Sequence, residues 1–236
     1  AICPRLFGRE CSMKTVVMIS ANAEWRSVKK IFPALVIERG PYGETAALTL
    51  KGFHLKLFHS GWGKVASAGA MQYVIDHEQP DLIINLGTCG GFEGLIHQGD
   101  VVLVEKTFIY DIVELMGDPD VMEYYASSLD LSWLPDPLPH PAQRGTLASA
   151  DSDLQPAQIN YLKSLGAIAG DWETGALAWV ANKNAARLLI LRGVSDLVNE
   201  KAGEAYDNLP LFQERTDEVM QILFEQLPDW LQSIKI

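Results

Sequence analysis

Pro80-Asp81-Leu82-Ile83-Ile84-Asn85-Leu86-Gly87-Thr88-Cys89-Gly90-Gly91 is the stretch that decides the fold. Leu82 to Leu86 are apolar enough to predict a strand buried on both faces, which requires a sheet covered by helices on each side. Glycines follow directly at 87, 90 and 91. They predict a sharp turn at the strand's C-terminal end, where backbone N–H groups can face a ligand. Such a turn serves a purely structural bend equally well, and it matches neither the dinucleotide fingerprint nor the nucleophile elbow.

Working towards the N-terminus, Val65, Ala68, Met71 and Ile75 recur at helical spacing and predict the helix that feeds this strand. Residues 44–50 and 53–59 alternate around Lys51-Gly52, a hairpin signal. Residues 14–20 are β-rich and pass through Ser20-Ala21-Asn22 into a polar–apolar stretch ending at Phe32, before Pro33, which reads strand, turn, helix. Residues 1–12 have no usable period; they are expected to be a leader without chemistry, with Met13 the native start.

Towards the C-terminus, strands are predicted at 100–109, 144–150, 166–170 and 187–195, with helices between them. Trp172, Ala176, Trp179 and Val180 mark one apolar helix face, and Val219, Ile222, Leu223, Leu227, Trp230 and Leu231 mark a closing helix. This alternation predicts an α/β layered fold, with 13–236 as a single domain. Residues 117–141 hold five prolines and predict a long loop, a lid or an interface.

The formal net charge of -11 argues against a nucleic-acid backbone or an anionic membrane as partner, since both repel an acidic protein. No apolar run approaches the roughly 20 residues of a membrane span. The three cysteines, Cys3, Cys11 and Cys89, show no metal or redox spacing, so a reducing cytoplasm is expected. The five histidines form no metal-binding motif, and neither metal nor organic cofactor is expected. No serine stands in a nucleophile context, and Cys89 lacks an evident histidine partner. Ser60-Gly61-Trp62-Gly63-Lys64 imitates a phosphate loop, but Phe58 and Val65 occupy positions that need Gly and Ser or Thr.

Three carboxylates carry more information. Glu24 follows the first strand, Glu173 opens a helix after the 166–170 strand, and Asp196 follows the strand ending at Ser195. In a covered sheet such ends converge on one crevice. Individually, Glu24 reads equally as a solvated first-turn acid, Glu173 as a helix-dipole partner and Asp196 as a turn cap.

Taken with their order, Ser20-Ala21-Asn22-Ala23-Glu24, Ser60-Gly61-Trp62-Gly63-Lys64-Val65, Asn85 to Gly91, Gly99-Asp100-Val101-Val102, Ser149-Ala150-Asp151, Asp171-Trp172-Glu173-Thr174-Gly175-Ala176 and Arg192-Gly193-Val194-Ser195-Asp196 resemble the nucleoside phosphorylase/nucleosidase superfamily. The closest resemblance is to its 5′-methylthioadenosine/S-adenosylhomocysteine nucleosidases, from Met13 to about Val198. The resemblance implies a three-layer α/β/α sandwich around a mixed sheet, assembled as a homodimer or larger homo-oligomer. It implies Glu24 as the base that activates water, Asp196 as the acid at purine N7, and Glu173 as the acceptor for the ribose hydroxyls. Thr88, with neighbouring Gly87, and Arg192 are implied near the nucleophile. Ser195, Asp153 and Leu154 fall beside the purine, Trp172 at the sugar and Trp62 near the 5′ substituent.

These residue types suit the chemistry. Cleaving C1′–N9 builds positive charge on the sugar and negative charge on the base, so an anion helps one end and a proton donor the other. Water or phosphate can be the nucleophile. Phosphorolytic relatives often carry an arginine where Asn85 stands, and Glu24 would repel a phosphate dianion, so hydrolysis is expected; Arg26, Lys64 and Arg192 keep phosphorolysis as the alternative. The expected substrate is 5′-methylthioadenosine or a related adenosine derivative. Trp62, in place of a smaller aliphatic residue, and Asp153, near an aromatic position, depart from the nucleosidase pattern. A silent nucleoside-binding protein is disfavoured by the retained trio Glu24, Glu173 and Asp196.

Overall fold

A computed structural model describes residues 13–117 and 120–234; the expected leader 1–12 lies outside the described residues. Strand β1 (Thr15–Ile19) is followed by helix α1 (Asn22–Ile31), the short strand β2 (Glu38–Gly40) and the hairpin β3 (Gly43–Leu50) and β4 (Phe53–His59). The hairpin closes through Lys51 and Gly52, both at positive φ, as a two-residue turn requires. Helix α2 (Gly63–Glu78) leads into β5 (Leu82–Phe92), then β6 (Val101–Ile109), α3 (Val121–Tyr124) and β7 (Ala126–Ser128). The chain continues through β8 (Gln143–Ser149), α4 (Ile159–Ser164), β9 (Ala167–Asp171), α5 (Thr174–Lys183), β10 (Leu188–Val198) and α6 (Leu209–Ser233).

The strands form one mixed sheet in the order β10-β6-β8-β9-β5-β1-β4-β3-β2, with β7 attached to β6. Because β10 also pairs with β5, strands β10, β6, β8, β9 and β5 close into a ring. Helices α1 and α6 pack against one face, and α2 and α5 against the other, giving the expected three layers. The first core joins Val17, Ile84 and Leu191 to Trp25 of α1 and to Leu223 and Trp230 of α6. The second joins Val16, Ile83 and Ile190 to Met71 of α2 and Leu177 of α5. Consecutive strand residues therefore serve opposite cores, which is why the central strands read as continuous apolar runs.

Four local expectations need correction. The glycines after Leu86 do not turn the chain: β5 runs on to Phe92. They are small because other side chains cross the strand there; a Cβ on Gly87 would lie 2.0 Å from Arg192 Nη1, and one on Gly91 would lie 2.7 Å from Ile96 and Val194. Asp196 lies within β10, which extends to Val198 with a bulge between Val194 and Asp196. Trp172 precedes α5 instead of lying on its apolar face. The 117–141 segment contains α3 and β7, and its Leu131, Trp133, Leu134 and Leu138 pack against the first core. None of its described residues lines the main cavity.

The pairing of β5 positions the main cavity. On one edge it pairs with β1 through Leu82–Asn85 and with β9 through Gly90 and Gly91. From Leu86 to Cys89 that edge has no strand neighbour. The ladder forks there, and a crevice opens where the sheet changes partners.

Candidate active site

A cavity of about 850 Å³ occupies this fork. Glu24 enters from the first turn of α1 and is 1% exposed. Its Oε1 accepts the Thr88 backbone N–H at 2.7 Å and the Thr88 hydroxyl at 3.1 Å, while its Oε2 accepts the Ala21 N–H at 3.0 Å. The carboxylate thus replaces the missing strand, satisfying a backbone donor that burial would otherwise leave unpaired.

Arg192, fully buried on β10, sits behind Glu24. Its Nη1 lies 3.4 Å from Glu24 Oε1, and its Nη2 lies 3.0 Å from Asp171 Oδ2 and 3.8 Å from Glu173 Oε2. Burial pulls the guanidinium pKa down, but Asp171, Glu24 and Glu173 outweigh it and hold the group charged. Three carboxylates against one guanidinium leave a negative surplus. Glu173 answers it: burial, with Asp171 and Glu24 adding to it against the pull of Arg192, raises its pKa to about 8. Its Oε1 accepts the Gly63 N–H at 3.1 Å.

Asp196 stands across the cavity, 6% exposed, its Oδ1 accepting the Ser195 hydroxyl at 2.7 Å. The bulge makes Ser195 the extra residue of β10, and the next side chain is turned towards the opening. Burial raises the Asp196 pKa, although the Ser195 hydrogen bond and Arg215 oppose it. Cys89 also lines the cavity, but burial raises its thiol far above the usual value and keeps it protonated, unsuited to nucleophilic attack.

Glu24, Glu173 and Asp196, distant in sequence, therefore share one cavity with Thr88, Ser195, Trp62, Trp172, Asp153 and Leu154. Two expected site residues do not line it. Gly87 lies beneath, leaving room for Arg192 and Glu24, and Arg192 reaches the cavity only through the carboxylates it holds. The Leu154 carbonyl is already engaged, accepting the Tyr206 hydroxyl.

Two participants were missed by the sequence reading. Asp171 lies at the end of β9 and accepts hydrogen bonds from Ser149 Oγ at 2.6 Å and Thr174 Oγ1 at 2.7 Å while pairing with Arg192. A charge closing an otherwise apolar strand was its signal. Tyr206, in the link between β10 and α6, lines the cavity with nothing in its local sequence to announce it.

The three cations weighed as phosphate ligands are all placed elsewhere. Arg26 borders a separate cavity of about 390 Å³ beside Lys29 and Arg39, Lys64 pairs with Asp111 and Asp151, and Arg192 is sequestered. Glu24, Asp153, Asp171, Glu173, Asp196 and Asp207 line the main cavity, and no lysine or arginine among the described residues does.

Against known proteins, a family model described as the phosphorylase superfamily matches residues 20–227. A 5′-methylthioadenosine/S-adenosylhomocysteine nucleosidase of Buchnera aphidicola subsp. Acyrthosiphon pisum is 24% identical over 240 residues, covering 92% of this chain and all of that protein. The MTA/SAH nucleosidase of Streptococcus pneumoniae, solved with 8-aminoadenine, superposes with a TM-score of 0.74 at 22% identity, covering 94% of this chain and 100% of that one. The Neisseria meningitidis 5′-methylthioadenosine/S-adenosylhomocysteine nucleosidase, solved with methylthio-immucillin-A, gives 0.73 at 21% identity with the same coverage.

Proposed function

The chain belongs to the phosphorylase superfamily, and from that premise we propose that it hydrolyses the N-glycosidic bond of a purine nucleoside, 5′-methylthioadenosine or a related adenosine derivative. The observation that carries the choice of water over phosphate is the charge of the cavity: six acidic side chains line it, Glu173 and Asp196 being the two that keep a proton in this reading, and no lysine or arginine among the described residues does. A phosphate dianion would enter against that field, whereas neutral water would not. The relatives named above are nucleosidases, which agrees with this reading.

In the proposed mechanism the two ends of the breaking bond meet different groups. Glu24 takes the proton from water as it attacks the anomeric carbon, and the surplus carboxylate charge stabilises the cationic sugar. Arg192 keeps Glu24 and Asp171 in place without facing substrate. Asp196 delivers a proton to purine N7, which its raised pKa favours. Glu173 holds the ribose hydroxyls. Trp172 and Trp62 cover the sugar and its 5′ substituent, while Thr88, Ser195, Asp153 and the Leu154 backbone complete the pocket around the nucleophile and base.

The test is incubation with 5′-methylthioadenosine, adenosine and inosine, with and without phosphate, followed by identification of base and sugar. The expected result is free purine and free sugar in both buffers. Base release that requires phosphate and yields a sugar 1-phosphate would reverse the choice of nucleophile; binding without release would remove the enzyme.

We further propose a single domain over 13–236 that works in the cytoplasm as a homo-oligomer, with no nucleic-acid partner. No helix among the described residues is long and apolar enough to cross a membrane. Exposed Val65, Val113, Leu115 and Met116, three of them within four residues of one another in sequence, support a protein interface.

A further inference from the structure

The Gly61-Trp62-Gly63-Lys64 motif binds no phosphate in the reading above, yet its lysine is 14% exposed and multiply bonded. Lys64 Nζ donates to both Asp111 oxygens, at 2.6 and 2.5 Å, and lies 3.2 Å from Asp151 Oδ2. Asp111 Oδ2 also accepts the Asp151 N–H at 2.8 Å. Asp151 Oδ1 accepts the Lys64 backbone N–H at 2.7 Å, so Asp151 grips Lys64 by main chain and side chain together.

That grip sits at the N-terminus of α2, one residue after Gly63, whose own N–H goes to Glu173. The first two N–H groups of the helix are thus divided between Asp151 and Glu173. Gly63 has φ +78, and a Cβ there would lie 2.7 Å from Asp151 Oδ1, so the aspartate packs directly against the turn that aims its N–H. Without the ammonium, Asp111 and Asp151 would face one another as like charges. Asp151, already 43% exposed, would swing to water and release the turn.

We propose that Lys64 is a positioning residue for Glu173: with Asp111 and Asp151 it fixes the start of α2 so that the Gly63 N–H holds the Glu173 carboxyl in place for the ribose hydroxyls. This rests on the reading of Glu173 given above.

The test compares kcat/KM for 5′-methylthioadenosine with that for its 2′-deoxy and 3′-deoxy forms in the full chain and in Lys64→Met, Lys64→Arg, Asp151→Asn and Glu173→Gln. Wild type should prefer the ribonucleoside at least about tenfold, the scale of leaving one buried hydrogen-bonding group without its partner. Lys64→Met and Asp151→Asn should shrink that preference to within about threefold, and Lys64→Arg should restore most of it. General loosening of the fold would slow all three substrates alike and leave the ratio intact. A folded Lys64→Met or Asp151→Asn enzyme that keeps the wild-type ratio overturns the positioning role alone. A Glu173→Gln enzyme that keeps it overturns the reading of Glu173 as well.

Discussion

Asp196 and Glu173 are both buried carboxyls with raised pKa values, but their surroundings assign them different tests. In the proposed mechanism Asp196 faces the base end, so Asp196→Asn keeps the shape and removes the proton. It should lower kcat for 5′-methylthioadenosine by about 10²–10⁴, with KM little changed, in steady-state assays of adenine release. Glu173 makes a prediction about stability. Folded, it holds its proton to about pH 8; unfolded, it ionises near 4.5. The folded chain therefore binds the extra proton across that window, and the group's contribution to stability is greatest below pH 4.5, is lost as pH rises, and levels off above 8. Urea midpoints measured from pH 5 to 8 should fall less steeply in Glu173→Gln than in wild type; parallel slopes would contradict this.

Among the elements, α6 shows most directly how pattern becomes structure. Of its predicted apolar face, Val219, Leu223, Leu227, Trp230 and Leu231 are buried and Ile222 is partly buried, so the C-terminal half was legible from spacing, while the start at Leu209 was not. Leu223→Ala should cost about 2–5 kcal/mol, measured as a lowered denaturant midpoint at unchanged slope. Strand β5 illustrates the limit of such reading. Its apolar half was evident, but Gly87, Gly90 and Gly91 look like a turn in one dimension and become ladder residues only because Arg192, Leu154 and Ile96 need the space. The bulge in β10 was hidden for the same reason, since register depends on the partner strand. Asp171 escaped notice because its role is set by a guanidinium 21 positions away in sequence.

For the molecule as a whole, charge is distributed against its average. The chain carries -11 overall, yet Arg26, Lys29 and Arg39 gather at one small cavity while the main cavity concentrates acids. The convergence of Glu24, Glu173 and Asp196 was anticipated from strand ends, although Asp196 lies within β10 beside its bulge; the absence of a cation among the described lining residues required coordinates. Leu115 and Met116, among the most exposed apolar residues, put the proposed oligomer within reach of experiment. Leu115→Glu with Met116→Glu should reduce the mass measured by light scattering, and a wild-type chain that runs as a monomer would contradict the proposed assembly.

The forked edge of β5 also bears on how an inactive form should be made. At Thr88 the main chain has no strand neighbour on one edge and relies there on a side-chain oxygen of Glu24. Truncating that acid would disarm the enzyme and at the same time strand an amide in a dry interior, so a dead protein would also be a damaged one. Asp196 carries no such scaffolding duty, which makes its asparagine variant the better bait for capturing an uncleaved nucleoside.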